Sequence, residues 1–195
     1  MAATTIASRL LDVIDDDILP LTERAVATGN KVFGAAILRK SDLSLVIAST
    51  NDETVYPLLL GEINSLNQFY ELRDRPPVPE LVFLTTHEPC TLCMSAITWA
   101  GFDNYYYFYS HEDSRDSFAI PHDLVILKEL FGLEPGGYRR ANAFWTAYSI
   151  PTLIETEDEP LRGRLRSKQQ RIRDRYQALS EQYQESKGDN DIPLS

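Results

Sequence analysis

Leu10, Ile14 and Ile18 recur every four positions near the start of the chain and predict a first helix. Pro20 interrupts or restarts it, because proline has no amide with which to continue helical bonding. The stretch LTERAVATGN continues as helix through Ala27, with Gly29 and Asn30 supplying the left-handed conformation that ends it. Two runs suited to a pleated surface follow, VFGAAIL and LSLVIAS, joined across Lys40 to Asp42 as a hairpin. Asn51, Asp52 and Glu53 make a polar link. From Pro57 onward, Leu58, Leu59, Glu62, Ile63, Leu66, Phe69 and Tyr70 fall at spacings of three and four and predict a helix with one apolar side, closed by RDRPPVP.

Leu81 to Thr86 reads as a buried strand that stops at His87-Glu88-Pro89. A helix from Cys90 to Trp99 is indicated by Leu92, Met94, Ala96 and Ile97, and Gly101 ends it. Tyr105 to Tyr109 reads as another strand, since large rings fit a pleated surface better than most helices. The polar SHEDSRD reads as a connection, and residues 122–131 as a short helix with Leu124, Leu127 and Leu130 on one side. This alternation of helices with strands predicts an α/β protein around a central sheet. Residues 135–153 read as a short element packing Phe144, Trp145 and Tyr148 on the main domain, and residues 163–186 as one amphipathic helix with Leu165, Ile172, Tyr176, Leu179 and Tyr183 inward. KGDNDIPLS is expected to fray. The division is a domain over 1–153 and a helical extension with a frayed tail over 154–195.

Charge narrows the partners. Nineteen Lys and Arg against 29 Asp and Glu leave a net charge of -10, which repels a polyanion and argues against duplex nucleic acid. The acid excess lies in the first 154 residues. Arg162 to Arg175 is by contrast basic, broken only by Asp174 among its charges, which suits either a solvated helix face or contact with a phosphorylated ligand or RNA. The opening residues lack a basic, then apolar, leader, and no apolar run approaches the roughly 18 residues of a membrane span. With two cysteines there is no disulfide framework. The expectation is a soluble, cytoplasmic protein without membrane contact.

Those two cysteines carry the most specific chemistry. Cys90 and Cys93, at i and i+3 across the first turn of a helix, direct both sulfurs one way, where soft thiolates suit zinc. A redox dithiol or a pair of small core residues are the other readings; no tryptophan of the thioredoxin kind precedes Cys90. Glu62, on a helix side rich in leucine, is costly to bury without a partner and is a candidate proton shuttle, a solvated carboxylate being the alternative. Phe33, Tyr107, Tyr109 and Trp145 are of a kind to stack a flat substrate or to fill the core.

The motifs together resemble the zinc-dependent cytidine, deoxycytidylate and guanine deaminase superfamily, nearest its nucleoside and tRNA-adenosine deaminase branch. Phe33-Gly34-Ala35 is similar to its first strand, Asn51 to the asparagine after its second, Leu60-Gly61-Glu62 to its His-x-Glu element, and Thr86 to Cys93 to its second metal element. The resemblance runs over residues 16–131. It implies a three-layer cytidine deaminase-like fold with a central mixed sheet, zinc on Cys90 and Cys93, Glu62 as proton shuttle, and a homodimer. Leu60 stands where the resemblance calls for a ligand histidine, and leucine has no lone pair. His111, after the aromatic strand, is the candidate substitute ligand; a water or substrate atom could complete the sphere, or the metal is weakly held or absent. His87 is expected to point aside from the metal. The implied substrate-binding set is Phe33, Asn51, Leu60, His87, Tyr109, Asp113 and Trp145.

The leading expectation is a deaminase-like hydrolase acting on an amino-substituted heterocycle, as a free base, nucleoside or related small molecule, through zinc-bound water and Glu62. The alternative is a non-hydrolytic enzyme of the same fold, or an inactive deaminase-like binding or accessory protein.

Overall fold

The structure, a computed structural model, describes residues 5–134 and 137–194. Residues 1–4 of the opening segment, Pro135 and Gly136 of the aromatic segment, and Ser195 of the tail lie outside the described residues. The sheet has five strands in the order β2-β1-β3-β4-β5: β1 (Gly34–Arg39), β2 (Leu45–Thr50), β3 (Leu81–His87), β4 (Asn104–Tyr109) and β5 (Thr146–Ser149). β1 pairs antiparallel with β2 and β3, while β3, β4 and β5 run parallel, so the sheet is mixed. Every residue of β3 is buried, as expected of a strand covered on both faces. Alternation divides it: Val82 and Leu84 enter one core, Leu81 and Phe83 the other.

Over the first face lie α1 (Ile6–Val13), α2 (Leu19–Val26), α5 (His111–Phe118), α7 (Ile150–Glu155) and α8 (Leu161–Ser186); α3 (Gly61–Glu71) and α4 (Thr91–Trp99) cover the other. α6 (His122–Phe131) lies beside α4 and α5. This is a three-layer α/β fold with a C-terminal helical extension. Leu165, Ile172, Tyr176, Leu179 and Tyr183 of α8 are buried in the first core.

Pro20 restarts the helix, as expected, in the first turn of α2, and the stretch before it, Ile14–Ile18, is a π-helical turn. Several local expectations are corrected by tertiary context. α3 begins at Gly61 rather than Pro57, because Asp52 N donates to Leu59 O at 2.8 Å and Leu59 N to Tyr56 O at 2.8 Å, folding residues 52–59 into a loop. SHEDSRD is helical, not a connection. Ser110 Oγ accepts from Asp113 N at 3.0 Å and Asp113 Oδ2 accepts from Ser110 N at 2.9 Å, a capping box, and His111, Ser114 and Phe118 supply the buried side. The aromatic segment holds an edge strand, β5, and α7. Leu130, expected inward, is exposed at the end of α6. The tail is anchored: Ile192 is buried and Asn190 Nδ2 donates to Gly29 O at 3.0 Å.

The basic run of α8 is largely matched within the chain. Lys168 pairs with Asp12 at 2.7 Å, Arg175 with Asp15 and Glu23 at 2.6 Å, Arg173 with Asp113 at 3.6 Å, and Arg166 with Glu155. Exposed pairs of this kind contribute little stability each, but these cations already face carboxylates. Among the described residues no helix is long and apolar enough to cross a membrane.

Candidate functional site

Two glycines set the geometry. A Cβ on Gly61 would stand 2.8 Å from Gly34 Cα and 3.1 Å from Gly34 N and C. Only because both residues lack side chains does the start of α3 rest directly on β1. Leu60 precedes that start in extended conformation without a side-chain cap; Asn51 Oδ1 does the capping, accepting from Gly61 N at 2.6 Å. Asn51 Nδ2 donates to Glu53 Oε2 at 2.8 Å, and Lys31 Nζ donates to Glu53 Oε1 at 2.8 Å, both charged residues being buried. The loop after β2 is thereby tied to the first turn of α3.

That first turn presents Glu62 inward, where it is buried and accepts from Thr85 Oγ1 of β3 at 2.9 Å. Opposite, Cys90 caps α4, its Sγ accepting from Cys93 N at 3.4 Å. Cys93 is buried, Cys90 half-buried, and the Cys93 thiol contacts both Cys90 and Glu62. Glu62, Cys90 and Cys93 thus meet where two helices begin, beside the carboxyl end of β3. They face a cavity of about 310 Å³ whose walls include Phe33, Leu60, His87, Leu92, Ile120 and Ile126.

Burial raises the pKa of the Glu62 carboxyl, against hydrogen bonds from its own amide, Thr85 and Cys93. The Cys93 thiol is pushed well up by its hydrogen bond with Cys90, by burial and by the Glu62 charge. A raised folded-state pKa means that the folded chain resists losing this proton, so Glu62 lowers stability progressively as pH rises from 4.5 through that raised value. Glu62→Gln is therefore expected to raise the melting temperature at about pH 7.5, with the gain vanishing at pH ~3, where the carboxyl is protonated in both states. Melting curves at both pH values check this; a lower melting temperature for the variant at the higher pH would contradict it.

Residues 16–109 match the family model of the cytidine and deoxycytidylate deaminase zinc-binding region. Among solved structures the chain is similar to guanine deaminase from Bacillus subtilis, with TM-score 0.51 and 22% identity over 61% of this chain and 75% of that one. It is similar also to a mutant of the protein NE0047 in complex with 8-azaguanine, with TM-score 0.50 and 18% identity over 90% of this chain and 86% of that one. The fold is that of the zinc deaminases. A guanine deaminase from Nitrosomonas europaea matches with TM-score 0.48 and 18% identity over 90% of this chain and 86% of that one. No curated protein matches the chain in sequence.

Within this deaminase fold the donor set does not fit zinc. Among the described residues no group of three or more His, Cys, Asp or Glu side chains is arranged to hold a metal ion. Two sulfurs fall short of the three protein ligands of a catalytic zinc. Leu60 offers no donor atom. The candidate substitute His111 is buried, with Nε2 3.0 Å from Pro89 O and Nδ1 3.7 Å from Glu88 Oε2. The expected zinc-dependent hydrolase acting through metal-bound water, with its zinc and metal-binding character, is corrected on this ground.

Of the residues expected to reach substrate, Phe33, Leu60 and His87 line the cavity. His87 does not simply point aside: its ring stacks on Tyr109 at 4.7 Å, and its Nε2 is buried with no hydrogen-bond partner among the described residues. Burial holds His87 well below the ordinary histidine range, so it is neutral. Asn51, Tyr109, Asp113 and Trp145 are used elsewhere. Asn51 caps α3, Asp113 caps α5, Tyr109 packs behind His87, and Trp145 Nε1 donates to Thr98 Oγ1 at 2.7 Å.

Lys31, Glu53, Glu88 and Asp123, none of them expected at a site from the sequence, also stand on the cavity wall, with Pro193 and Leu194 from the tail. Glu88 is buried and accepts from Arg140 Nε at 3.0 Å, from His111 N at 3.0 Å and from the Tyr138 hydroxyl. Its one local signal is a charge between a buried strand and the cysteine turn. Asp123 is raised by burial, against the pull of His111, His122 and Lys31; nothing near it in sequence marks it.

Proposed function

We propose that this chain is a non-hydrolytic binding protein of the deaminase fold, whose cavity takes a small, flat ring compound with apolar faces and a polar edge, such as a heterocyclic base. The observation that carries the reading is the combination of an open cavity with an incomplete donor set: Glu62, Cys90 and Cys93 converge, and no third metal-holding side chain joins them among the described residues. In this reading Leu60 takes the position that a ligand histidine has in the superfamily, and adds an apolar wall in place of a metal ligand. Phe33, Leu60 and Ile120 contact the faces of the ring, while the Glu62 carboxyl meets its polar edge. The protein works as a pair of chains, for which the exposed apolar side chains of α4 and α6, Leu92, Trp99, Val125 and Phe131, provide a surface.

The purified protein is expected to carry far less than one zinc per chain by elemental analysis, to bind 8-azaguanine or a related free base by calorimetry, and to release no ammonia from adenine, cytosine or guanine compounds. Leu60→Arg should abolish that binding. Stoichiometric zinc that disappears in Cys93→Ser, together with ammonia release lost in the same variant, would refute the proposal.

A further inference from the structure

A CxxC pair without a metal site is left with its thiol chemistry, and here the surroundings are asymmetric in a way that suits exchange. Cys90 is half-buried at the head of α4, and the cavity reaches it; Cys93 is 1% exposed behind it. The two sulfurs are already neighbours: Cys93 N donates to Cys90 Sγ at 3.4 Å, and the Cys93 thiol contacts the same sulfur. Glu62, held by Thr85 at 2.9 Å, neighbours the Cys93 thiol. The chain contains two cysteines and no others, so an intramolecular disulfide has one possible pairing.

We infer that Cys90 and Cys93 form a reversible dithiol–disulfide centre: the dithiol reduces small disulfides entering the cavity, and small thiols reduce the resulting disulfide back to the dithiol. Cys90 gives up its proton and attacks one sulfur of the disulfide, forming a mixed disulfide and expelling the first thiolate, which takes up that proton. Cys93 passes its proton to Glu62 and attacks Cys90 Sγ, breaking the mixed disulfide; the second thiolate leaves and is protonated from Glu62. Two thiols of the protein are oxidised by two electrons, and the small disulfide is reduced to two thiols. Cys90 is the attacking thiol because it is the accessible one. Cys93 is the resolving thiol because an incoming disulfide meets Cys90 first. The inference stands whether or not a ring compound binds the same cavity.

The test uses the full chain equilibrated against graded ratios of oxidised and reduced glutathione, quenched by alkylation and read by intact mass. Two alkylated thiols giving way to none in one two-electron transition, without dimers, is the expected result. Cys93→Ser should trap glutathione on Cys90, and Cys90→Ser should leave Cys93 unmodified under the same conditions. Glu62→Gln should slow the closing step by about 100-fold, seen as transient glutathione adduct, as expected for loss of a positioned proton acceptor. Independent alkylation of the two thiols, oxidation only to chain-to-chain dimers, or added zinc that protects both sulfurs at one ion per chain would each overturn the inference. The wild-type transition alone decides the matter if a variant does not fold.

Discussion

Lys31→Met is expected to destabilise the folded chain by about 3–5 kcal/mol, because it removes one partner of a buried ion pair and strands the other. Lys31 Nζ lies 2.8 Å from Glu53 Oε1, and the two side chains are 8% and 2% exposed. Methionine fills much the same volume, so the loss is electrostatic rather than a packing defect. The remaining donors to Glu53, Asn51 Nδ2 at 2.8 Å and Lys31 N at 3.4 Å, leave a full charge without a counter-ion. In a chain of this size the melting temperature should fall by roughly 10 °C. Replacing both partners, as Lys31→Met with Glu53→Leu, should recover most of the loss, since the cost of burying charge disappears with the attraction. Denaturant titration of both variants checks it: a single variant within about 1 kcal/mol of the parent, or a double variant less stable than the single, would contradict the account. The consequence reaches the cavity, because Glu53 positions Asn51 and Asn51 caps α3.

Gly61→Ala is expected to cost about 1–3 kcal/mol, the range for forcing an extra carbon into packed surroundings, although alanine in most helix positions is better than glycine by about 1 kcal/mol. The reversal follows from what the new methyl would meet. Gly34 Cα, 2.8 Å from the ideal Cβ, belongs to the backbone of β1, which is hydrogen-bonded on both sides by β2 and β3. A side chain could swing away; this strand cannot. The start of α3 must lift, taking Glu62 from Thr85 and Cys93. Chemical denaturation measures the loss, and faster alkylation of Cys93 reports the displacement. A stabilised variant with unchanged Cys93 reactivity would mean that the two glycines are not in contact.

These two sites also mark where local sequence stops being informative. α4, α8, the β1–β2 hairpin and β3 were legible because their signals are local: spacing of three and four on helices, a polar turn between two apolar runs, a short continuous apolar run for a covered strand. α5 carried its signal in the Ser110–Asp113 cap rather than in apolar periodicity. β5 is recognisable only once β4 supplies its hydrogen-bond partners, and the tail is ordered by Ile192 and Asn190 meeting surfaces far away in the chain. Within the site, the meeting of Cys90 and Cys93 follows from their spacing across one helical turn, while that of Glu62 with them is implied by the resemblance to the deaminase superfamily and comes about because α3 and α4 begin side by side. Whether they hold a metal was not a matter of spacing. A third ligand has to come from another segment, and so do the counter-charges: Lys31 precedes β1, Glu53 follows β2, Arg140 reaches Glu88 from beyond α6. Periodicity and caps act within a few residues and are written in the sequence by itself; coordination and buried charge act across a few ångströms between distant residues, and only the tertiary structure decides which of them meet.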